Sequence, residues 1–143
     1  MTARIIDGKA VAERLRGQLA ARIATLPFRP GLRVVRVGDD PASGVYVRNK
    51  DRAAAAAGFD SATLHLPADT RESDLLMLVE DLNIDPSVDG ILVQLPLPPQ
   101  SRPDLVIATN DPAKDVDGFH PANAGRLASL QPGLVPCTPT TLS

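Results

Sequence analysis

The only tyrosine of the chain, Tyr46, stands four residues before Lys50 in "SGVYVRNKDR". On a helix that spacing puts both side chains on one face. The ring offers a flat stacking surface with a polar tip. A lysine ammonium in a partly dry place loses hydration and can take and give protons near neutrality. An ordinary surface pair on an amphipathic helix has the same spacing, so the pair alone leaves both readings open. Gln94 closes the apolar run "GILVQLPLP". Its amide oxygen can accept from an ammonium and its NH2 can donate to a substrate oxygen. A glutamine that satisfies loop backbone fits equally well. In "AKDVDGFHP", Asp115 and Asp117 flank a valine ahead of Gly118. A pocketed carboxylate suits a ligand with paired N–H donors, such as a 2-amino-pyrimidinone; a solvated acidic turn has the same look.

Other reactive types say less. His65 falls inside a strand pattern and reads as structural, and His120 beside two acids is too little for a metal site. The "DVDG" segment lacks the remaining positions of a calcium loop. Cys137, the one cysteine, excludes an internal disulfide and has no neighbour that would make it a nucleophile. Tyr-x-x-x-Lys also serves short-chain dehydrogenases, which need a glycine-rich dinucleotide turn after the first strand. Here the turn is "VGDDPAS", no G-x-G-x-x-G occurs, and the tyrosine comes too early in the chain. That reading is rejected.

The elements that must position these residues follow from periodicity. Behind Asp7, a cap, Val11, Leu15, Leu19 and Ile23 recur at four-residue spacing and predict the apolar stripe of an amphipathic helix. "LRVVRVG" predicts a buried strand. The next helix should begin at Asp40 and Pro41 and end before Gly58, its alanine run packed on the sheet. "SATLHL" predicts a strand with Ala62, Leu64 and Leu66 on one face. Thr70 is expected to cap a helix carrying Leu75, Leu78, Val79 and Leu82. "DGILVQL" predicts a third strand, and Ser101 should cap a short helix after it. Beyond Asn110 the periodicity gives way to a Pro/Gly-rich tail, too long for a mere connector.

Strand and helix thus alternate three times, with crossovers suited only to parallel pairing, which predicts an α/β domain with a small parallel sheet and helices on both faces. Ligands of such sheets sit at the carboxyl ends of the strands. The 143 residues suffice for one domain, 1–143, with 43% apolar and 22% charged residues. A net charge of −2 gives no reason to expect nucleic acid or an anionic membrane as partner. No apolar run approaches the ~20 residues that span a bilayer, and "MTARIIDGKA" is not built like a signal peptide. A cytoplasmic protein is expected.

Taken in order, "VGDDPASGVYVRNKDRAAAAAGF", "DGILVQLPLP", "PAKDVDGFHPANAGRL" and "PCTP" resemble the bifunctional methylenetetrahydrofolate dehydrogenase/methenyltetrahydrofolate cyclohydrolase family. The match runs from "IIDGKAVAE" to Pro139. The resemblance implies a three-layer α/β/α domain of the amino-acid-dehydrogenase N-terminal type. It implies oxidation of 5,10-methylenetetrahydrofolate with NADP and hydrolysis of the methenyl product to 10-formyltetrahydrofolate, in the one-carbon metabolism that feeds purine, methionine and histidine synthesis. By the same resemblance Lys50 is the catalytic lysine, Gln94 its partner, Tyr46 the stacking ring and Asp117 the carboxylate that holds the pterin. Ser43, Leu95, Pro96 and Pro139 match pocket positions. The family is homodimeric, uses no metal here, and binds NADP in a following domain outside these residues. One departure is "TT" after "PCTP", where a basic residue and glycine are usual. A folate-binding or regulatory module without turnover is the alternative.

Overall fold

A computed structural model describes residues 7–39 and 41–137, and for 41–46 the backbone alone. Eight elements follow in chain order: α1 (Gly8–Ile23), β1 (Gly31–Val37), α2 (Pro41–Ala57), β2 (Asp60–Leu66), α3 (Glu72–Ile84), β3 (Gly90–Val93), α4 (Pro103–Thr109) and α5 (Pro121–Ala128). The strands pair in parallel in the order β2-β1-β3, with Gly31 opposite Asp60 and Leu32 opposite Gly90.

Successive residues of β1 point to opposite faces of the sheet, and both faces are covered. On one face Val35 and Val37 meet Leu75 and Val79 of α3, Ile91 of β3 and Val106 of α4. On the other Val34 meets Val47 of α2 and Leu92 of β3. This is the expected three-layer α/β/α arrangement. Val35, Leu75, Val79 and Val106 are fully buried, each worth roughly 1.5–3 kcal/mol of transfer free energy. Gly58 ends α2 with a φ of +99°, as the left-handed residue after a helix should. Asp7 caps α1, its Oδ1 accepting from the Ala10 amide at 3.1 Å.

Two expectations are corrected. Thr70 does not cap α3: its hydroxyl donates to the Pro67 carbonyl at 2.7 Å, and the N-cap is Arg71. Ser101 does not cap α4 either, where Arg102 holds that place. The Glu72 carboxylate accepts the Arg102 amide at 2.6 Å and its guanidinium at 2.9 Å, so an acid from α3 satisfies the start of α4. The helix α1 forms as expected, and its apolar stripe is largely uncovered among the described residues: Leu15 is 53% and Leu19 39% exposed, and Ile23 is buried. The strand β2 forms as expected; Ala62 is exposed, while Leu64 and Leu66 pack against the α3 side. Asp40 lies outside the described residues.

Past Asn110 the chain is more ordered than its composition predicts. It returns to the sheet at a single bridge, Ile91 to Asp115, and then forms α5. Pro121 occupies the first turn of α5, and His120 caps it by accepting the Ala122 amide on Nδ1 at 3.0 Å.

Candidate active site

Three segments meet where β3 ends. The first is α2. Val47 is buried against Val34 and Leu92, and Asp51 accepts the Thr63 hydroxyl of β2 on both oxygens, at 2.9 and 2.8 Å. Lys50 lies between these two anchors, half-buried, so its backbone is held from both sides.

The second segment is the end of β3. The Gln94 amide donates to the Val35 carbonyl at 2.8 Å, extending the ladder one residue past the strand. Its side-chain Nε2 donates to the Leu95 carbonyl at 2.9 Å. Its Oε1 is buried and has no hydrogen-bond partner among the described residues. A buried acceptor left in this way costs about 1–3 kcal/mol, and a donor from a ligand or a neighbouring ammonium would relieve it. Leu95 is half-buried beside the cleft, Pro96 is exposed, and the peptide between them is cis.

The third segment is "KDVDGF". The Ile91 amide donates to the Lys114 carbonyl at 2.8 Å, pinning the segment to β3. Gly118 then turns it with a φ of +68°. A Cβ there would sit 2.7 Å from the Val135 carbonyl carbon and 2.8 Å from the Pro136 nitrogen, so the turn backs directly onto the chain leading to Cys137. Only glycine serves there. Asp117, half-buried, shares a cavity of about 20 Å3 with Val93, Leu95, Asn110, Asp115 and Phe119, room for about one water. Burial pushes the Asp117 carboxyl above the usual carboxylate range; the Lys50 charge pulls it down and the Asp115 charge pushes it up. Lys50 on α2 and Asp117 on the return segment therefore act on one another across the end of β3.

The structure thus brings Lys50, Gln94, Leu95 and Asp117 to one edge. The side chains of Ser43 and Tyr46 and the whole of Pro139 lie outside the described residues. His65 is occupied with backbone, its Nε2 at 2.9 Å from the Gly38 carbonyl. Larger concave surfaces run along α1, one of about 650 Å3 lined by Leu15, Gln18, Leu19, Ala21 and Arg22. None of them is lined by a carboxylate, histidine, lysine or cysteine, whereas the sheet edge brings a lysine and a carboxylate together. Among the described residues no group of three metal-ligating side chains occurs and no helix is long and apolar enough to cross a membrane.

Residues 6–117 match the family described as tetrahydrofolate dehydrogenase/cyclohydrolase, catalytic domain. The chain belongs to this family. Among relatives, the bifunctional protein FolD of Acidiphilium cryptum is 65% identical over 139 residues, covering 97% of this chain and 50% of that protein. The protein of the same name from Phenylobacterium zucineum is 59% identical, covering 97% and 48%. The chain spans about half the length of the curated relatives it matches. The crystal structure of the Campylobacter jejuni bifunctional methylenetetrahydrofolate dehydrogenase/cyclohydrolase superposes with a TM-score of 0.93 at 41% identity, over 95% of this chain and 50% of that one. The Trypanosoma brucei enzyme, complexed with NADP cofactor and inhibitor, gives 0.91 at 36% identity, over 99% and 50%.

Within this tetrahydrofolate dehydrogenase/cyclohydrolase domain, sequence reasoning passed over Asn110 and Asn123. Both are buried polar side chains, 6% and 1% exposed; Asn110 closes the short-helix segment, and Asn123 lies in the stretch read as tail. The proline after His120 was a usable sign of a helix start, and with α5 in place Asn123 falls on its inner side.

Proposed function

We propose that this chain is the folate-binding catalytic half of a bifunctional methylenetetrahydrofolate dehydrogenase/methenyltetrahydrofolate cyclohydrolase, and that its own residues carry the cyclohydrolase chemistry. The supporting observation is the convergence of Lys50, Gln94 with its unpartnered Oε1, and Asp117 at the carboxyl end of β3. In this reading Asp117 accepts the paired N–H donors of the pterin ring. Tyr46 stacks on the aminobenzoyl ring, with Ser43, Leu95, Pro96 and Pro139 around it. Water adds to the amidinium carbon of 5,10-methenyltetrahydrofolate, and Lys50 takes the proton and returns one to the departing ring nitrogen. The substrate's own positive charge disfavours a second one beside it, which keeps the amine available as a base. Gln94 orients that amine without adding charge.

The dehydrogenase step needs a dinucleotide, whose nicotinamide accepts a hydride from the folate carbon when bound. The described residues do not fit one: the turn after β1 carries a single glycine, Gly38, and no helix opens on a glycine-rich phosphate loop. NADP binding and the oxidation are proposed for the longer protein, as are the homodimer, a cytoplasmic location and a place in one-carbon metabolism.

The test is calorimetric titration of the chain with 5-formyltetrahydrofolate, together with hydrolysis of 5,10-methenyltetrahydrofolate followed by absorbance. Binding is expected, weakened about tenfold by Tyr46→Ala if stacking is worth ~1–1.5 kcal/mol. Lys50→Met should leave binding measurable and cut hydrolysis by about 100-fold or more. Absence of binding by the unmodified chain would sink the proposal; binding with no hydrolysis would turn it into a binding module.

A further inference from the structure

Asp115 is the other acid of the "KDVDG" segment, and its surroundings differ from those of Asp117. It is 4% exposed. Its Oδ2 accepts the His120 amide at 2.8 Å and the Asn123 Nδ2 at 3.0 Å. Asn123 donates as well to the Pro112 carbonyl at 2.8 Å. One side chain on α5 thus ties together the residue three before Asp115 and Asp115 itself. The Asp115 carbonyl accepts from Gly118 at 3.3 Å. Asp117 is consequently bracketed, with the sheet bridge at Ile91 on one side and the start of α5 on the other.

We infer that Asp115 is a positioning residue for Asp117, locking the acid-bearing turn between β3 and α5 through Asn123 and the His120 amide. The inference rests on the reading that Asp117 holds the folate. A bidentate contact to a ring edge tolerates little misplacement, and a turn two residues from its anchor keeps its aim only if the anchor is fixed. Asp115 also adds its charge to the surroundings of Asp117. The other charge acting on Asp117 is Lys50, from α2. From α5 comes His120, whose ring nitrogens are both engaged, Nδ1 by the Ala122 amide and Nε2 by the Ala108 carbonyl.

Two variants of the chain separate this role from mere stabilisation. Asp115→Ala removes the oxygen that both donors share. In Asp115→Asn the amide oxygen takes its place, keeps both bonds and loses only the charge. With 5-formyltetrahydrofolate as probe, D115A should weaken binding about tenfold, while D115N should stay within about threefold of the unmodified chain. The carboxyl-carbon NMR titration of Asp117 in the ligand-free chain should move to lower pH in both variants, because a like charge is gone. A lock that served stability alone would lower the melting temperature of D115A and leave the affinity of its folded form unchanged. Unchanged affinity in a folded D115A whose sheet amides keep their shifts, or a D115N that binds as weakly as D115A, overturns the inference. If D115A does not fold, a folded D115N bound about tenfold or more weakly than the unmodified chain overturns it. If the unmodified chain binds no folate, the functional reading falls, and amide shifts of residues 116–118 that stay in place in folded D115A overturn the lock.

Discussion

Asp117 sits where three influences compete, and burial is the largest of them. A carboxyl whose pKa is higher in the folded than in the unfolded chain holds a proton that the unfolded chain releases. Stability therefore falls as pH rises from the ordinary carboxylate value through the folded one, and the full cost stands at neutral pH. Replacing Asp117 by Asn removes that cost. The variant is expected to melt above the unmodified chain at pH 7, with the difference closing below about pH 4, in thermal melts repeated across pH. The same variant should lose folate binding. Stability gained and ligand lost together is the mark of a group kept for its chemistry. The ionised carboxylate is also the form that accepts paired N–H donors, so binding in the unmodified chain should begin to weaken at a higher pH than an ordinary aspartate would impose.

Elements differ sharply in how much their glycines matter. A Cβ at Gly31, the first residue of β1, would run into the Ser87 carbonyl oxygen, and backbone cannot step aside cheaply. Gly31→Ala is expected to cost about 3 kcal/mol or more. Gly17, inside α1, has nothing within 4 Å of a built Cβ, and Gly17→Ala should stabilise by roughly 0.5–1 kcal/mol. Urea denaturation of the two variants checks both signs. The strands and the ends of α1 and α2 were legible because their signals are local: β-branched runs, Asp7 at a cap, Gly58 past an end. The caps of α3 and α4 were not, because Glu72 satisfies Arg102 across thirty residues of chain, and no window of sequence contains both. At the site, Lys50, Gln94 and Asp117 were each ambiguous alone. Their convergence is a property of the sheet edge, and only ordered blocks along the chain hinted at it. The α5 segment was lost because a short helix between prolines looks like a loop unless His120 and Pro121 are read together as its start.

At the scale of the molecule, the periodicity of α1 was read correctly as helical, and the stripe it marks is largely uncovered among the described residues. A stripe of leucines states that a face is apolar; it does not state what covers it. Leu15→Gln with Leu19→Gln is expected to change stability by less than about 0.5 kcal/mol, whereas Ile23→Ala, at a buried position beside Gly58, should cost about 2 kcal/mol or more. Equilibrium unfolding distinguishes the two. The order β2-β1-β3 has a further consequence in time. The middle strand is the first to be synthesised, and neither partner is a near neighbour: Gly31 waits for Asp60, and Leu32 for Gly90. No hairpin can start the sheet, and loop closure must precede every rung. A chain emerging from the ribosome therefore carries β1 unpaired until β2 appears. It then carries a sheet edge, with Val35 and Val37 uncovered, until α3, β3 and α4 have followed. Over that interval the growing chain is most open to aggregation, and slower translation through residues 60–106 should lengthen it.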